Sequence, residues 1–490
     1  MDIITNSDSK KLNRAARPAN GGVLNRGFDA AIDFIDERFE DIARLIAACR
    51  HAAAWLWGSK LYFPLCFLVQ AGFMAAGHPI VGGILTMSLL IFMLLFCEDL
   101  MSILFPLVLL TLLSTEFYSG LYDLLQFWWI GVLAAAALLI HIGAYAKAPR
   151  NGGCMHSLVA VSVATLVGGL GYISAEEYFS PTALYYSLGL GVVMLLVYVL
   201  ARSEVGRARD YDVAERLMQM LYASGLFTGF VVLLFYARNL PEFLESFSTI
   251  YFSYRNFCAT MLLMALPSAA YFAVRNKRHF VSLAFLYLML LMTGSRSGLI
   301  FGSVMLALSL GYIYYYCDTE NRRLYRRVLA IGAVPAIAML VVVVHTLFAS
   351  RMVDGELISI EDSRVTFFVQ GLRDFVANPL FGCGLGSMHN SKIFLGVEGS
   401  IVWYHNLFAQ ILGSMGLAGV VAYGWMFLDR VSLLWHKRSK KTLALALVYL
   451  AMLLISMTNP GEFCPLPNAL LMVVLFVVME EQPEHSAVPA

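Results

Sequence analysis

The sequence predicts an all-α fold, a polytopic integral membrane bundle of about 12–14 transmembrane helices with one larger periplasmic loop that contains short helices. Composition is the first observation, because 59% of the 490 residues are hydrophobic and only 14% are charged. A soluble protein of this length could not bury so much apolar surface. The second observation is that runs of about 15–23 uncharged residues, each close to the length that crosses a bilayer, recur along the chain. The net charge of +1 gives no indication that nucleic acid is a partner.

Length and lack of charge predict about fourteen spans. The predicted spans are 59–76, 79–97, 100–114, 124–146, 157–173, 181–201, 217–237, 256–274, 279–293, 298–316, 328–348, 404–428, 442–458 and 466–479.

The distribution of Lys and Arg orients these spans. The basic residues lie in alternate loops, whereas the loops between them hold few Lys or Arg and more acidic residues. Because cytoplasmic loops carry the excess of Lys and Arg, we expect an even number of spans with both termini in the cytoplasm. The basic loops include Lys147 and Arg150, Arg202 to Arg216, Arg275 to Arg278, Arg322 to Arg327, and Lys437 to Lys441.

This scheme divides the chain into five parts. They are a cytoplasmic N-terminal extension at 1–58, a transmembrane bundle at 59–348, a periplasmic loop at 349–403, C-terminal transmembrane helices at 404–479 and a cytoplasmic tail at 480–490. Within the extension, apolar residues of 28–50 recur at intervals of three and four, which predicts an amphipathic helix. This helix either lies on the inner membrane surface or docks on a cytoplasmic partner.

Two features mark the periplasmic loop. Val365, Phe368, Leu372 and Phe375 form an apolar stripe at helical spacing, which predicts a short helix packed on the membrane surface. The glycine-rich segment Asn378–Gly386 follows no predicted strand, so we exclude a nucleotide-binding loop. We expect instead a tight turn, with backbone amides that could face an anion.

Lys and Arg are scarce in the predicted outer loops, so those that are present are candidate site residues. Arg296 lies in a short turn between small residues, Arg255 begins span eight, and Arg364 lies in the long loop. The planar guanidinium group suits phosphate oxygens, which a diphosphate lipid would bring to this depth. The alternative for each is an arginine whose head group extends to the membrane interface. That interpretation is preferred for Arg238, Arg351, Arg373 and Lys392.

His405 lies where the apolar run of span twelve begins. A histidine there can act as a base near neutral pH or donate a hydrogen bond to a phosphate. The alternative is an interfacial histidine in an aromatic belt beside Trp403 and Tyr404. For His389 the structural interpretation is preferred. The alternative bases are Glu116, Asp123, Glu361 and Asp374.

The order of several short motifs resembles the bacterial O-antigen ligase and polymerase superfamily. These are Ser-Arg-Ser-Gly at 295–298, Arg364 before a helix, Asn-Pro-Leu-Phe-Gly-Cys-Gly at 378–384, His-Asn at 405–406 and Gly-Ser-Met-Gly-Leu-Ala-Gly at 413–419. The resemblance covers residues from 250 to 430 and not the N-terminal half, which shares only the many-span pattern.

The resemblance implies a membrane enzyme with a fold like the GT-C glycosyltransferases, in the bacterial inner membrane, with its active site facing the periplasm. It would transfer a glycan from undecaprenyl diphosphate to lipid A core or to another lipid-linked repeat, without a metal or cofactor. Arg296 and Arg364 would grip the diphosphate, with Arg255 a less secure match. His405 would be the catalytic base or a phosphate ligand. Besides membrane lipid, the resemblance allows a chain-length regulator as a partner.

Two other function classes compete with this one. A transporter or lipid-linked glycan flippase should carry charged or broken helices near the bilayer midplane, whereas we expect the mid-span positions here to be almost free of charge. A non-catalytic membrane scaffold should tolerate replacement of its outer Arg and His residues.

Overall fold

The protein is a bundle of membrane-spanning helices in the computed structural model. The structure describes residues 23–113, 128–205, 211–246, 249–251, 254–318, 321–327, 329–330, 341, 352–353, 356–357, 363–385, 403–463 and 466–483. Within these residues, strand structure is confined to a two-residue antiparallel pairing of β1 (Met352–Val353) with β2 (Glu356–Leu357). The predicted all-α membrane fold is confirmed.

Most helices lie within the predicted spans, but among the described residues only seven helices, or eight if the bent pair 40–58 and 62–75 is one span, are long and apolar enough to cross a membrane, against about fourteen predicted. The helices of the described residues are α1 (Val23–Gly58), α2 (Tyr62–Ala75), α3 (Pro79–Phe96), α4 (Leu104–Leu113), α5 (Trp128–Tyr145), α6 (Met155–Val167), α7 (Pro181–Ser187), α8 (Met194–Glu204), α9 (Val213–Arg238), α10 (Leu240–Ser246), α11 (Arg255–Arg275), α12 (Arg278–Met292), α13 (Arg296–Tyr316), α14 (Ser363–Ala377), α15 (Leu407–His436), α16 (Lys440–Ser456) and α17 (Leu466–Glu480). A short 3₁₀ helix at Leu100–Ile103 precedes α4, and a π-helical segment at Leu188–Val193 joins α7 to α8. The span predicted at 328–348 lies largely outside the described residues.

The described residues 23–57 belong to a compact unit separate from the rest of the chain. The helix predicted for 28–50 is present within α1. Ile42, Leu45 and Ile46 on this helix are exposed. The expectation that its apolar face lies on a membrane or a partner stays a prediction.

Helix α11 is the centre of the larger unit. It packs against α9, α12, α13 and α16, and 83% of its most apolar stretch is buried. Small side chains allow α9 and α11 to approach closely, since a Cβ atom built on Gly225 would overlap the Cβ atom of Ala265. This central helix therefore supplies a rigid support for the residues at its first turn.

The loops fall into two groups, one at each end of the bundle, and the loops of each group contact one another. Loops predicted to share the cytoplasmic side are joined by ion pairs and hydrogen bonds, whereas loops predicted to be periplasmic contact one another at the opposite end. The first group includes Lys147 with Glu98, Arg275 with Glu215 and Lys441 with Asp212. The second includes Arg364 with Ser297, Asn406 with Met457 and Asn378 with Tyr178. The predicted pairing of loops agrees with these contacts, and which end faces the cytoplasm stays a prediction.

Helix α15 is broken near its start, and the glycine-rich segment fills the break. Gly416 has φ 58° and ψ −149°, a conformation essentially confined to glycine. The exposed amides of the broken turn are satisfied by loop carbonyls, since the N–H of Leu417 donates to Pro379 at 2.8 Å. In return, the N–H of Cys383 donates to the carbonyl of Gly413 at 2.8 Å.

The glycine-rich turn therefore does not present these amides to an anion. The N–H of Gly384 donates to Ser414 at 3.0 Å, and the N–H of Leu385 donates to Gly169 at 2.6 Å. The expectation of an amide-lined anion site is wrong for these positions, because the amides complete the backbone bonding of the broken helix. This interlock explains why the motifs at 378–384 and 413–419 occur together.

Replacing Gly416 by alanine is expected to destabilise the protein by about 1–3 kcal/mol, because an L-residue is strained at this φ and ψ. Its Cβ atom would also lie 2.7 Å from the carbonyl carbon of Leu380. Gly424→Ala is the matched control, since it lies in the same helix with nothing within 4 Å of the added Cβ. The thermal midpoint in detergent should fall for Gly416→Ala and hold or rise for Gly424→Ala. Equal midpoints would contradict the expectation.

Candidate functional site

Four helix N-termini meet at the end of the bundle predicted to be periplasmic. Ser295, the N-cap of α13, donates from its hydroxyl to Asn256 of α11 at 2.8 Å. Ser297 of α13 accepts a hydrogen bond from Arg364 at the start of α14, at 2.9 Å. Asn406 is the N-cap of α15, and its Nδ2 donates to the carbonyl of Met457 at 2.9 Å. Because helix N-termini carry partial positive charge, their convergence favours an anion at this place.

Arg364 joins α14 to α13 and to the residues that follow α16. Its Nη1 donates to the Ser297 hydroxyl, and its Nη2 donates to Oδ1 of Asn459 at 3.4 Å. Ser297 in turn accepts a hydrogen bond from the Thr458 hydroxyl at 2.8 Å. These two bonds hold the guanidinium group against a hydroxyl oxygen and an amide oxygen. A half-buried cation held in this way can attract a phosphate or another anionic group.

The two other predicted arginines lie at the same end. Arg296 is the half-buried first residue of α13, between Ser295 and Ser297, which both take part in the contacts described above. Arg255 begins α11, and its guanidinium lies 4.6 Å from the centre of the Tyr251 ring. The Ser295–Asn256 hydrogen bond thus links the first turns that carry Arg296 and Arg255.

His405 has an unusual backbone and a half-buried side chain whose Nδ1 atom is buried. Its φ of 53° is positive, which is uncommon for a residue other than glycine. The neighbours fix this conformation, since the N–H of Tyr404 donates to Gln410 at 3.1 Å and Asn406 caps α15. The imidazole stacks on Phe367 with 5.5 Å between ring centres. Burial, followed by the positive charge of Arg364, lowers the pKa of His405 from its usual 6.5 to about 4, so the ring is neutral at pH 7.

Two buried polar atoms beside Arg364 lack a hydrogen-bond partner among the described residues. They are Nδ1 of His405 and Nδ2 of Asn459. A buried donor or acceptor without a partner costs about 1–3 kcal/mol, so such groups are rare in folded proteins and call for an explanation. Their position next to a guanidinium group indicates a site built to bind a polar ligand.

The other candidate residues do not join this cluster. Asp374 is buried, and its carboxylate accepts hydrogen bonds from Gln370 at 2.7 Å and from the Tyr404 hydroxyl at 2.6 Å. Arg373 is exposed, and Arg238 donates to the carbonyl of Met74. The remaining candidates lie outside the described residues, namely Glu116, Asp123, Glu361, His389, Arg351 and Lys392.

The helix predicted from the apolar stripe of the long loop is α14. Val365, Phe368 and Leu372 on this helix are exposed, whereas Gln370 and Asp374 are buried against the protein. Polar residues therefore face inwards and apolar residues outwards, which is the arrangement expected of a helix that contacts lipid. Arg364 thus lies at the first turn of a helix suited to the bilayer surface.

Sequence reasoning assigned no role in the site to Asn256, Ser297, Thr458 or Asn459, because none is charged and their proximity depends on long-range packing. It also missed a buried ion pair between Arg430 of α15 and Glu462. Arg430 is only 3% exposed, although the predicted scheme places it beyond the end of the span at 428. The error arose because α15 continues to His436, well past the predicted end of the span at 428.

Comparison with known proteins identifies a domain over the middle of this site. Residues 280–424 match the family model described as O-antigen ligase. The matched segment contains Arg296, Arg364 and His405, whereas Arg255 and Asn459 lie outside it. None of the proteins with curated functions matches the chain.

Proposed function

We propose that this chain, whose residues 280–424 match the O-antigen ligase family model, is a membrane glycan-transferring enzyme of the O-antigen ligase and polymerase superfamily. Undecaprenyl diphosphate carries its glycan donor. The acceptor hydroxyl belongs to lipid A core in a ligase or to another lipid-linked repeat in a polymerase. The enzyme lies in the bacterial inner membrane, with both termini in the cytoplasm and the site at the periplasmic face. The observation that carries this proposal is the buried Nδ1 of His405, which has no hydrogen-bond partner among the described residues and lies beside the Arg364 guanidinium group that binds Ser297 and Asn459.

The arginines stabilise the leaving group. The acceptor oxygen attacks the anomeric carbon, the bond from that carbon to the phosphate oxygen breaks, and undecaprenyl diphosphate leaves with the electron pair. Negative charge on the diphosphate grows as this bond breaks, so Arg364 and Arg296 bind the transition state more tightly than the substrate. Arg255 contacts the distal part of the diphosphate, and the N-termini of α13 and α14 add to the positive potential.

His405 accepts the proton of the acceptor hydroxyl. Its ring is neutral at pH 7, so it can accept a proton, but a pKa of about 4 makes it a weak base in the free protein. A bound diphosphate places negative charge beside Arg364 and offsets the repulsion that Arg364 exerts on the imidazolium. Binding of the donor thus raises the basicity of His405 at the moment when a base is needed.

The second candidate is a transporter or lipid-linked glycan flippase. It is favoured by the Arg430–Glu462 ion pair, since buried charges within a bundle often mark transport pathways. The pair is mutually neutralising and also hydrogen-bonded to Tyr449, which a fixed structural tether explains as well. The O-antigen ligase domain therefore gives the transferase precedence.

One assay separates these candidates. Purified protein in liposomes is incubated with an undecaprenyl-diphosphate oligosaccharide, first alone and then with lipid A core, and the glycan products are separated by size. Longer lipid-linked chains in the first reaction indicate a polymerase, and product only in the second indicates a ligase. Loss of product in Arg296→Ala supports the assignment. Movement of the lipid-linked glycan between leaflets without any new glycosidic bond would favour the flippase.

The pH dependence should reveal the state of His405. The pH profile of kcat/KM reports the free enzyme, so we expect kcat/KM to fall on the acid side near pH 4. The pH profile of kcat reports the enzyme with bound substrate. Because the bound diphosphate raises the pKa of His405, we expect kcat to fall at a higher pH. The unfolded chain binds this proton more readily than the folded protein. The contribution of neutral His405 to the free energy of unfolding is therefore complete above its usual pKa of 6.5, and it is lost as the pH falls through about 4.

Rate profiles from acid to neutral pH test this expectation, with the thermal midpoint followed in parallel. His405→Asn is the matched variant, since asparagine tolerates positive φ and cannot act as the base. It should lose activity and retain the fold. An acid limb of kcat/KM at the unshifted histidine pKa would contradict the assignment.

A further inference from the structure

The described part of the loop that joins α16 to α17, residues 457–463, forms one wall of the candidate site. Three successive residues of this loop contact three different elements. The carbonyl of Met457 accepts from Asn406, the Thr458 hydroxyl donates to Ser297, and Oδ1 of Asn459 accepts from Arg364. The loop lies outside the segment that matches the family model, so that match assigns it no role.

The contacts of Asn459 determine which way its amide group points. Arginine has only donors, so the carbonyl oxygen of the amide must face Arg364 and the NH₂ group must face elsewhere. Asn459 is 5% exposed, and its Nδ2 has no hydrogen-bond partner among the described residues. A buried NH₂ group beside a guanidinium group matches a ligand that only accepts hydrogen bonds. The oxygens of an ionised diphosphate have this property.

We propose that Asn459 is a substrate-binding residue, whose NH₂ group donates a hydrogen bond to a phosphate oxygen of the lipid diphosphate held by Arg364. This inference rests on the proposed function. The bond from Arg364 to Oδ1 polarises the amide and strengthens its N–H groups as donors. The two residues thus bind the diphosphate together. Arg364 attracts it by charge, and the hydrogen bond from Asn459 fixes its orientation.

The loop is fixed by contacts of its own. Glu462 forms the buried ion pair with Arg430, and Nδ2 of Asn468 donates to the carbonyl of Gly461 at 3.4 Å. Phe463 packs against Tyr423 with 5.5 Å between ring centres. Asn459 is therefore held in position before the substrate arrives, which reduces the entropy lost on binding.

Asn459→Asp separates a substrate-binding role from a structural one. The variant keeps an oxygen that accepts from Arg364, but it removes the NH₂ donor and adds a negative charge. Binding of undecaprenyl diphosphate in detergent micelles is measured directly, along with glycan transfer and the thermal midpoint. Asn459→Ala provides a second variant, and Asn276→Asp is the matched control at the opposite end of the bundle, where Oδ1 of an exposed Asn276 accepts from the backbone of Arg278.

We expect Asn459→Asp to weaken binding of undecaprenyl diphosphate by about 10- to 100-fold with an unchanged or higher thermal midpoint. Asn459→Ala should also weaken binding, and Asn276→Asp should bind as the wild type does. Retention of wild-type affinity by both Asn459 variants would overturn the inference, as would a wild-type protein that does not bind undecaprenyl diphosphate. A wild-type protein that binds the lipid through Asn459 but transfers no glycan would refute the proposed function and leave the inference standing.

Discussion

Replacing Arg364 by alanine is expected to lower kcat/KM by about 10²- to 10³-fold, the effect of removing one strong donor from a developing negative charge. Arg364 places two N–H groups on the fixed acceptors Ser297 and Asn459, so its position is defined before the diphosphate binds. Loss of the side chain removes the charge and frees both acceptors. Arg364→Lys should recover little activity, because a single ammonium group cannot reproduce the planar fork that spans the two oxygens.

Arg373→Ala is the matched control for this prediction. It lies on the same helix, α14, and its side chain is exposed. We expect its kcat/KM to remain close to that of the wild type at an equal thermal midpoint. Equal losses in Arg364→Ala and Arg373→Ala would show that the positive charge of α14 acts through general attraction of the substrate, and would remove Arg364 from the site.

Arg364 and His405 should also be energetically coupled. Arg364 contributes to the lowered pKa of His405, so its removal should move that pKa back towards the usual histidine range. The acid limb of kcat/KM in Arg364→Ala should therefore lie at higher pH than in the wild type. For the same reason, the losses caused by Arg364→Ala and His405→Asn should not add in the double variant. Additive losses would indicate that the two side chains act independently.

The sequence predicted the spans and the charged members of the site because each depends on local information. A run of apolar residues long enough to cross a bilayer must form a helix to satisfy its backbone, so α2 to α13 follow from length and composition, apart from the short helices and breaks. Arg296 and Arg364 stood out because positive charge is scarce in the outer loops. His405 stood out because it begins an apolar run.

The uncharged members of the site could not be predicted in this way. Asn459 follows Arg364 by nearly a hundred positions, and its role depends on one hydrogen bond and one unpaired amide nitrogen. The glycine-rich turn gave a misleading signal, because the conformational freedom of glycine serves equally for an anion-binding loop and for the interlock with Gly416. Which of these occurs is decided by tertiary contacts that local sequence does not contain.

Replacing Arg430 by methionine is expected to reduce the free energy of unfolding by about 3–5 kcal/mol, because it leaves the buried carboxylate of Glu462 without its counter-ion. The Arg430 and Glu462 side chains are only 3% and 8% exposed, so water cannot replace the lost partner. Arg430 also donates to the Tyr449 hydroxyl at 2.8 Å and lies 4.5 Å from the centre of the Phe476 ring. One side chain of α15 therefore joins α16, α17 and the loop that carries Asn459.

Thermal unfolding in detergent measures this loss, and Arg275→Met is its matched control. Arg275 pairs with Glu215 at 2.9 Å, but the two side chains are 56% and 27% exposed, so breaking this pair should cost no more than about 1 kcal/mol. A double variant with Arg430→Met and Glu462→Met should be more stable than Arg430→Met alone, because it removes the unpaired charge. In Arg430→Met, KM for the lipid-linked donor should also rise, since Glu462 no longer anchors the loop that positions Asn459. If Arg430→Met unfolded at the same temperature as Arg275→Met, the pair would not be the tether of this loop, because a pair that tethers the loop must stabilise the protein more than an exposed pair does.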